Sequence, residues 1–407
     1  MRCGLLGKKL GHSYSPQIHS YLSDYTYELF EKSPEELEFF LKYGDFSGLN
    51  VTMPYKKDVI PYLDELSDRA AELGAVNTIV RRNDGTLIGH NTDYFGFQSM
   101  LNRSGLQVSG KKILVLGSGG ASATAVAVLK KQGSNVVVIS RNGENNYNNL
   151  KQHADTSVIV NTTPVGMYPN VGVSPVELAL FHELEGVLDV VYNPARTQLL
   201  LDAEERGLIA NNGLWMLVAQ AKESAEWFTG TTISDNKIAD IHRILQKQME
   251  NLVLVGMPGC GKSTIGSLLA NLLNKKFVDE DEVVAKQAGM TIPEIFATSG
   301  EKGFRDLETR VLSELGKESG MVIATGGGCV TRQENYPFLH QNGRILWIRR
   351  DIEKLPVNGR PLSQRSNLEE MYRIRRPHYE AFADYSVDND GSQEETVARI
   401  LNMEGIR

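Results

Sequence analysis

The sequence has few cysteines and no long apolar run, and each absence excludes a class of protein. Its 407 residues include only three cysteines, widely separated and odd in number, which argues against a disulfide framework and against a cysteine-bound metal cluster. No run of about 18 apolar residues occurs, so a membrane span is not expected. The N-terminal stretch "MRCGLLGKKLGHS" lacks the continuous apolar core of a signal peptide. We therefore predict a cytoplasmic protein that does not engage a membrane.

The chain also lacks a strong charge of either sign. Its 43 basic and 50 acidic residues are interspersed and give a formal net charge of −7, so no general field favours nucleic acid as a partner. Any anion must be held by local groups. The length exceeds what one hydrophobic core supports, and 41% apolar residues are enough for several domains. We expect a multidomain globular protein whose oligomeric state the sequence does not indicate.

Strands and helices alternate along most of the chain, which predicts an α/β protein. From about residue 111, "KKILVLG", "SGGASATAVAVLKKQG" and "SNVVVIS" follow one another as strand, glycine turn with helix, and strand, the pattern of a βαβ unit in a parallel sheet. Residues 1 to about 98 read as a separate small α/β domain. Apolar residues at helical spacing in "NKIADIHRILQKQ" end directly before a new strand, which predicts a semi-rigid boundary near residue 249.

The glycine turn "GSGGAS" lies between a strand and a helix, where backbone N–H groups can bind a pyrophosphate. It spaces Gly117, Gly119 and Ser122 as Gly-x-Gly-x-x-Ser, and such a turn also occurs for purely structural reasons. The following strand ends at Ser140 and Arg141, where a cofactor with a free ribose 2′-hydroxyl would call for an acidic residue. Because Arg141 suits a 2′-phosphate, the sequence favours NADP(H) over NAD.

A second phosphate loop, "GMPGCGKS", satisfies the pattern G-x-x-x-x-G-K-[ST] between an apolar run and a helical segment. Its backbone N–H groups would wrap the phosphates of ATP, Lys262 would neutralise the outer two, and Ser263 would reach Mg²⁺. Downstream, "FVDEDE" is expected to place Asp279 and Asp281 two apart on one face of a strand end. Such a pair suits a metal-bound water and an acceptor hydroxyl, although bare acidic residues are commonly a solvated turn.

Other candidate residues are weak as isolated signals. Lys56 in "NVTMPYKK" and Asp93 in "GHNTDYFGF" could form an acid/base pair if they lie together in a partly buried site, and otherwise they are surface charges. Arg305 and Arg375 could bind a carboxylate or phosphate if they converge, and otherwise they serve solubility.

Eight short motifs follow one another over residues 1–247: "GKKLGHSYSPQIHS", "NVTMPYKK", "GAVNT", "NTD", "GSGGAS", "NTTPVGM", "DVVYNP" and "GLWMLVAQA". In content and order they resemble those of shikimate dehydrogenase. The resemblance implies that Lys56 and Asp93 are the catalytic pair, with Lys56 as the acid/base. It also implies a substrate-binding α/β domain formed by residues 1–98 plus about 217–248, and a Rossmann-type NADP-binding domain at 99–216.

The same resemblance assigns further site residues. Those implied to bind the substrate carboxylate and ring hydroxyls, or to close over them, are Ser13, Ser15, Asn50, Thr52, Asn77, Tyr192 and Gln220. Those implied to lie against the dinucleotide are Gly117, Gly119, Gly120, Ser122, Ser140, Arg141, Asn161, Thr162 and Met216.

Over residues 251–407 the chain resembles shikimate kinase, which implies a P-loop NTPase-type, nucleoside monophosphate kinase-like domain at 249–407. Asp281 is then implied to orient and deprotonate the attacking hydroxyl, and Asp279 to hold an Mg²⁺-bound water. The residues implied to bind substrate are Arg305, Gly326, Gly327, Gly328 and Arg375, and those implied to bind ATP are Gly256, Gly259, Gly261, Lys262, Ser263, Thr264 and the lid residue Arg360. The segment "RDIEKLPVNGRPL" is short and offers no adenine-side arginine, and Lys354 is its nearest basic residue.

Together the two resemblances imply a bifunctional enzyme that acts on small molecules, 3-dehydroshikimate and shikimate. One alternative is a regulatory protein that keeps both folds as ligand sensors, but such a protein need not retain Lys56, Asp93, Lys262, Ser263 and Asp281. A second alternative is an enzyme that also accepts quinate, which differs by one ring hydroxyl. The ratio of kcat/KM values for the two acids would separate these specificities.

Overall fold

The computed structural model describes residues 1–11, 13–355, 365–403 and Ile406, and it confirms the α/β class. The chain divides into two compact units. The first consists of Met1–Val165, Ser174–Tyr192 and Asp202–Ile244, and the second of Gly166–Val173, Asn193–Leu201 and Leu245–Arg407. The domain boundaries near residues 98, 216 and 248 stay predictions. Among the described helices, none combines the length and the apolarity needed to cross a membrane.

The first sheet of the first unit holds the strands that carry most of the polar candidate residues. Its elements are β1 (Arg2–Gly7), α1 (Ser15–Leu22), β2 (Thr26–Glu31), α2 (Leu37–Tyr43), β3 (Gly48–Val51), β4 (Glu65–Leu66), α3 (Asp68–Leu73), β5 (Thr78–Arg81), β6 (Leu87–His90) and α4 (Asp93–Ser104). The described strands are ordered β2-β1-β3-β5-β6-β4, with β5 antiparallel to both neighbours. The segment "SPQIHSYL" forms α1, which has a proline in its first turn.

The second sheet of the first unit is parallel throughout its described strands and confirms the predicted βαβ unit. The elements of this stretch are β7 (Lys112–Leu116), α5 (Gly120–Lys131), β8 (Asn135–Ile139), β9 (Val158–Asn161), β10 (Gly186–Asp189), α6 (Gln198–Glu205), β11 (Ile209–Asn211), α7 (Leu214–Thr229) and α8 (Asn236–Met249). The strand order is β11-β10-β9-β7-β8. The chain leaves β7 toward β8 and later returns to β9 on the other side, so the carboxyl end of β7 is a topological switch point, where such sheets bind ligands.

The second unit contains a parallel sheet with described strands in the order β13-β14-β12-β15-β16. Its elements are β12 (Asn251–Val255), α9 (Lys262–Leu273), β13 (Lys276–Asp279), α10 (Glu280–Ala288), α11 (Ile292–Leu315), β14 (Met321–Ala324), α12 (Asn335–His340), β15 (Gly343–Arg349), α13 (Arg365–Phe382), β16 (Tyr385–Asp388) and α14 (Gln393–Leu401). The central strand β12 is buried along its whole length, as expected for a parallel sheet covered on both faces. The phosphate loop follows β12 directly.

One local prediction is wrong. Asp279 and Asp281 do not share a strand face, because β13 ends at Asp279 and α10 begins at Glu280. The Asp279 carboxylate caps the helix by accepting a hydrogen bond from the Asp281 backbone N–H at 3.1 Å. A run of acidic residues is favourable in a first helical turn, since the N-terminus of a helix carries partial positive charge.

Candidate active sites

Lys56 and Asp93 are 37 residues apart in sequence and meet in the first unit. The Lys56 Nζ donates to Asp93 Oδ2 at 2.6 Å, and the two side chains are only 24% and 12% exposed. Lys56 follows β3, and Asp93 is the first residue of α4. The tertiary fold therefore forms the lysine–aspartate pair that the resemblance implied.

Asn50 and Asn77, both expected to face substrate hydroxyls, are joined by a buried hydrogen-bonded network. The hydroxyl of Ser224 on α7 contacts Asn50 Nδ2 at 2.8 Å, Thr78 Oγ1 at 2.8 Å and Thr92 Oγ1 at 2.9 Å. The Asn77 Oδ1 accepts the Thr92 backbone N–H at 2.7 Å. Each amide group is thus held in one orientation, because its polar atoms have fixed partners.

Sequence reasoning missed Ser224, which is completely buried at the centre of this network. It lies four residues after Gln220 on α7 and donates to the Gln220 carbonyl oxygen at 2.9 Å. Helical spacing from a candidate residue is the only signal in the sequence that could have found it. Tyr27 was also missed, and its hydroxyl donates to Asn50 Oδ1 at 2.8 Å.

The remaining substrate-side candidates lie on several elements of the first unit. The Ser15 backbone N–H at the start of α1 donates to Ser13 Oγ at 3.2 Å. The Tyr192 ring packs edge-on against Tyr14 with centroids 6.3 Å apart, and burial raises the pKa of the Tyr192 hydroxyl. The Gln220 side chain donates to the Leu217 carbonyl at 2.9 Å. Thr52 is anchored by its backbone, since its N–H donates to the Leu6 carbonyl at 3.0 Å.

The turn after β7 has room for a ligand against its backbone. A Cβ atom placed on Gly119 or Gly120 would meet no other atom within 4 Å, whereas one on Gly117 would come within 2.9 Å of the Thr162 hydroxyl. Gly117 also has a φ of +107°, which favours glycine. Thr162 in turn donates from Oγ1 to the Leu116 carbonyl at 2.6 Å. Space beside a backbone at a helix N-terminus is suited to a pyrophosphate.

The other dinucleotide candidates differ in accessibility. Asn161 is completely buried, and its amide donates to Asp189 Oδ1 at 3.0 Å, so its side chain supports the turn after β9. Ser122 is buried on α5 and Met216 on α7. Ser140 and the exposed Arg141 lie in the turn that follows β8, where the Ser140 backbone N–H donates to the Asn145 carbonyl at 3.1 Å.

In the second unit, backbone carbonyls of the phosphate loop (residues 256–263) bind the Lys262 side chain. Its ammonium is buried and donates to the carbonyls of Gly256 at 2.9 Å and Met257 at 3.1 Å. The Ser263 hydroxyl donates to Asp279 Oδ2 at 2.6 Å. A hydroxyl and a carboxylate side by side next to a phosphate loop are the oxygen donors that Mg²⁺ prefers.

A cavity of about 700 Å³ adjoins this loop and brings the acceptor-side candidates together. Its lining includes Gly259, Gly261, Lys262, Ser263, Thr264, Asp279, Asp281, Arg305, Gly326, Gly327, Gly328 and Arg375. The Arg375 guanidinium donates to the Gly327 carbonyl at 3.1 Å, and a Cβ on Gly328 would overlap the Arg305 guanidinium. The lack of a side chain at Gly328 therefore allows Arg305 to approach the loop closely.

Two carboxylates that carried no assigned role hold this region in place. Glu308 is fully buried and accepts from Arg305 Nη1 at 2.7 Å through both oxygens. Glu280, also fully buried, accepts the Gly326 backbone N–H at 2.6 Å. Burial raises the pKa of both carboxyl groups. Glu308 therefore holds Arg305 in place, and Glu280 holds the loop Gly326–Gly328 in place.

Arg360 lies outside the described residues, so its assignment stays a prediction. Lys354 is exposed and pairs with Asp390 at 3.7 Å. Arg350, which sequence reasoning missed, is a further basic residue that lines the cavity beside the phosphate loop.

Comparisons with known proteins find two enzyme families in this chain. The family model described as shikimate dehydrogenase substrate binding domain matches residues 5–79, and the one described as shikimate kinase matches residues 258–404. A shikimate dehydrogenase (NADP(+)) from Clostridium perfringens is 35% identical over 265 residues, which are 60% of this chain and 97% of the relative.

Solved structures are similar over the same part of the chain. Shikimate dehydrogenase 1 from Peptoclostridium difficile is 38% identical with a TM-score of 0.56, covering 60% of this chain and 97% of that one. A shikimate dehydrogenase in complex with NADP⁺ is 30% identical with a TM-score of 0.55, covering 59% of this chain and 94% of that one. This chain therefore belongs to the shikimate dehydrogenase family and carries a shikimate kinase domain in its C-terminal part, so that it is an enzyme with two activities.

Proposed function

We propose that this chain reduces 3-dehydroshikimate to shikimate with NADPH, through Lys56 and Asp93, and then phosphorylates shikimate with ATP, through Lys262, Ser263 and Asp281. The observation that carries the proposal is the side-chain chemistry in each unit: a 2.6 Å lysine–aspartate pair in the first, and a buried P-loop lysine beside a serine–aspartate pair in the second. Both sets of groups suit proton and phosphoryl transfer, which a ligand sensor would not need.

In the first reaction Lys56 donates a proton to the carbonyl oxygen of the substrate. Asp93 holds the ammonium in place and stabilises its charge, and the partial burial of both side chains strengthens their interaction. NADPH supplies the hydride when it is bound at the turn after β7. Arg141, in the turn after β8, is available to pair with a 2′-phosphate.

Substrate recognition depends on the network around Ser224. Asn50 and Asn77 can each present a fixed donor or acceptor to a ring hydroxyl, because their other polar atoms are engaged. Fixed polar groups discriminate strongly between substrates, since an analogue lacking one hydroxyl leaves a buried partner unpaired. Ser13 and Ser15 lie near one another on the chain and suit a carboxylate.

Replacing Ser224 with alanine should weaken substrate binding without removing the catalytic pair. We expect KM for 3-dehydroshikimate to rise by about tenfold, because a lost buried hydrogen bond costs about 1–3 kcal/mol. KM for NADPH should change by less than about twofold. Steady-state kinetics of the full chain measures both constants.

Thr229→Val provides the matched control, since Thr229 on the same helix also donates to a carbonyl four residues earlier, at 2.8 Å. Within the described part of the chain, the Thr229 hydroxyl bonds to the Ala225 carbonyl and the Thr231 hydroxyl, and not to Asn50 or Asn77. Thr229→Val should therefore leave both KM values unchanged. An equal rise in KM for both substrates in Ser224→Ala would point to a general loss of structure and contradict the positioning role.

Gly119→Ala tests where the dinucleotide binds. Gly119 has a φ of −86° and open space beside its Cα atom, so the new methyl group imposes no strain on the free protein. If the pyrophosphate packs against this backbone, the methyl group occupies its place, and we expect KM for NADPH to rise by about tenfold or more. The melting temperature and the kinase activity should not change. An unaltered KM for NADPH would place the pyrophosphate elsewhere.

In the second reaction, residues that line the cavity beside the phosphate loop would act on the transferred phosphoryl group. Lys262 neutralises charge on the outer phosphates, and Asp281 orients the attacking hydroxyl of shikimate and accepts its proton. Arg305, Arg375 and the loop Gly326–Gly328 bind the substrate carboxylate, which pairs bidentately with a guanidinium. The Arg305–Glu308 pair keeps one of these arginines in a single orientation.

Mg²⁺ would be held by Ser263 directly and by Asp279 through a water. The 2.6 Å contact between their oxygens shows that both side chains already point to one place. The ion would supply charge neutralisation between the phosphates when bound.

A coupled reaction tests the proposed function as a whole. The full chain is incubated with 3-dehydroshikimate, NADPH, ATP and Mg²⁺, and the products are separated by mass. Shikimate 3-phosphate is the expected product. Oxidation of NADPH without any phosphorylated product would refute the kinase half, and phosphorylation of added shikimate without NADPH oxidation would refute the other.

A further inference from the structure

Two consecutive arginines at the end of β15 have opposite environments. The guanidinium of Arg349 pairs with the Asp388 carboxylate on the neighbouring strand, with Nη2 donating to Oδ2 at 2.9 Å. Arg350 is half-buried, and its Nε is buried without a partner. It makes no hydrogen bond or ion pair with any residue that the structure describes. A partly desolvated cation without a counter-charge is unfavourable unless a ligand provides the charge.

Arg350 lines two cavities at once. One is the cavity of about 700 Å³ that contains Lys262 and Ser263. The other has a volume of about 480 Å³ and is lined by Asn389, Ser392 and other residues at the start of α14. Besides Arg350, both cavities are lined by Gly261 and Thr264 of the phosphate loop. The two cavities therefore adjoin at Gly261 and Thr264, which precede and follow Lys262 and Ser263 in the chain.

We propose that Arg350 binds the α-phosphate of the nucleotide. The inference rests on the kinase function proposed above. Lys262 and the loop backbone hold the outer two phosphates, which leaves the α-phosphate at the boundary between the two cavities that Arg350 and Thr264 both line. The nucleoside then occupies the second cavity, whose volume falls in the range usual for small-molecule sites. The guanidinium fork suits a phosphate, because it can donate two parallel hydrogen bonds to two of its oxygens.

Arg350→Met tests this role, since methionine keeps most of the apolar stem and removes the charge. We expect the Kd of the full chain for ADP, measured by calorimetry, to rise by about tenfold or more, and KM for ATP to rise in parallel. KM for shikimate should stay within about twofold of the parent value. Arg349→Met is the matched control, because Arg349 is the adjacent residue and its guanidinium is already paired; it should leave the Kd for ADP within about twofold.

GDP distinguishes a phosphate contact from a contact to the base. An α-phosphate contact predicts the same fold-loss of affinity for ADP and GDP in Arg350→Met. A loss confined to ADP would overturn the α-phosphate role, and so would an unchanged Kd for ADP. If the parent chain itself neither binds ADP nor phosphorylates shikimate, the proposed kinase function fails, which is a different result from failure of the Arg350 contact alone.

Discussion

Lys262→Met should abolish measurable phosphorylation of shikimate while hydride transfer continues at the parent rate. Lys262 is buried in the phosphate loop. Its charge therefore acts in surroundings of low dielectric constant, where it attracts phosphate more strongly than it would in water. Removing a single preorganised donor from a site where charge develops costs about 10²–10³ in kcat, and loss of a full positive charge beside the phosphates should cost at least that much. The measurement is kcat for shikimate phosphorylation, followed with ATP in excess.

Lys276→Met is the control for this change. Lys276 is an exposed lysine in the same unit, at the start of β13, and its replacement removes the same charge from the chain. Phosphorylation should be unaffected in the control. A Lys262→Met protein that retains more than about a tenth of the parent kcat would contradict the assignment of the phosphate loop.

Lys56→Met should have the reverse effect, with reduction of 3-dehydroshikimate lost and phosphorylation of added shikimate retained. Without Lys56 the carbonyl oxygen has no adjacent proton donor, and a positioned acid contributes about 10²–10⁴-fold to such a step. The methionine also leaves Asp93 without its 2.6 Å partner. Oxidation of NADPH, followed by its absorbance at saturating substrate, reports the loss in kcat.

The neighbouring residue Lys57 gives a close control, since it is an exposed lysine one position further along the chain. Lys57→Met should reduce 3-dehydroshikimate at the parent rate. If Lys56→Met raised only KM and left kcat intact, Lys56 would be a binding group and its role as the acid would be refuted. If either lysine variant lost both activities while still folded, the independence of the two sites would be refuted instead.

Many local elements could be predicted from the sequence because their signals are local. The βαβ unit from β7 to β8 and the helix α8 were expected from apolar periodicity and from the glycine turn after β7. The stretch after β13 was predicted wrongly, because the spacing of two between Asp279 and Asp281 placed both residues on one face of a strand end. The same residues make a favourable first turn of a helix, and the cap formed by Asp279 decides for the helix.

The residues of the candidate sites also fall into two groups, those that belong to a local sequence pattern and those that do not. Both glycine loops could be recognised as candidate phosphate sites, because glycine spacing and the following helix are set within a few consecutive residues. Ser224, Glu280 and Arg350 could not be recognised, since a buried serine, a second acidic residue in an acidic run and one of two adjacent arginines carry no local pattern. Their environments depend on which strands and helices pack around them.

The sequence by itself determined that this chain has two glycine turns of phosphate-loop spacing and two sets of family motifs, and hence two activities. Only the tertiary structure decided which side chains meet. Asn50 and Ser224 are 174 residues apart and share a hydrogen bond, and Lys56 meets Asp93 across 37 residues. The physical reason is that backbone conformation depends mainly on residues that are neighbours in the sequence. The distance between two side chains depends instead on the packing of the whole core around them.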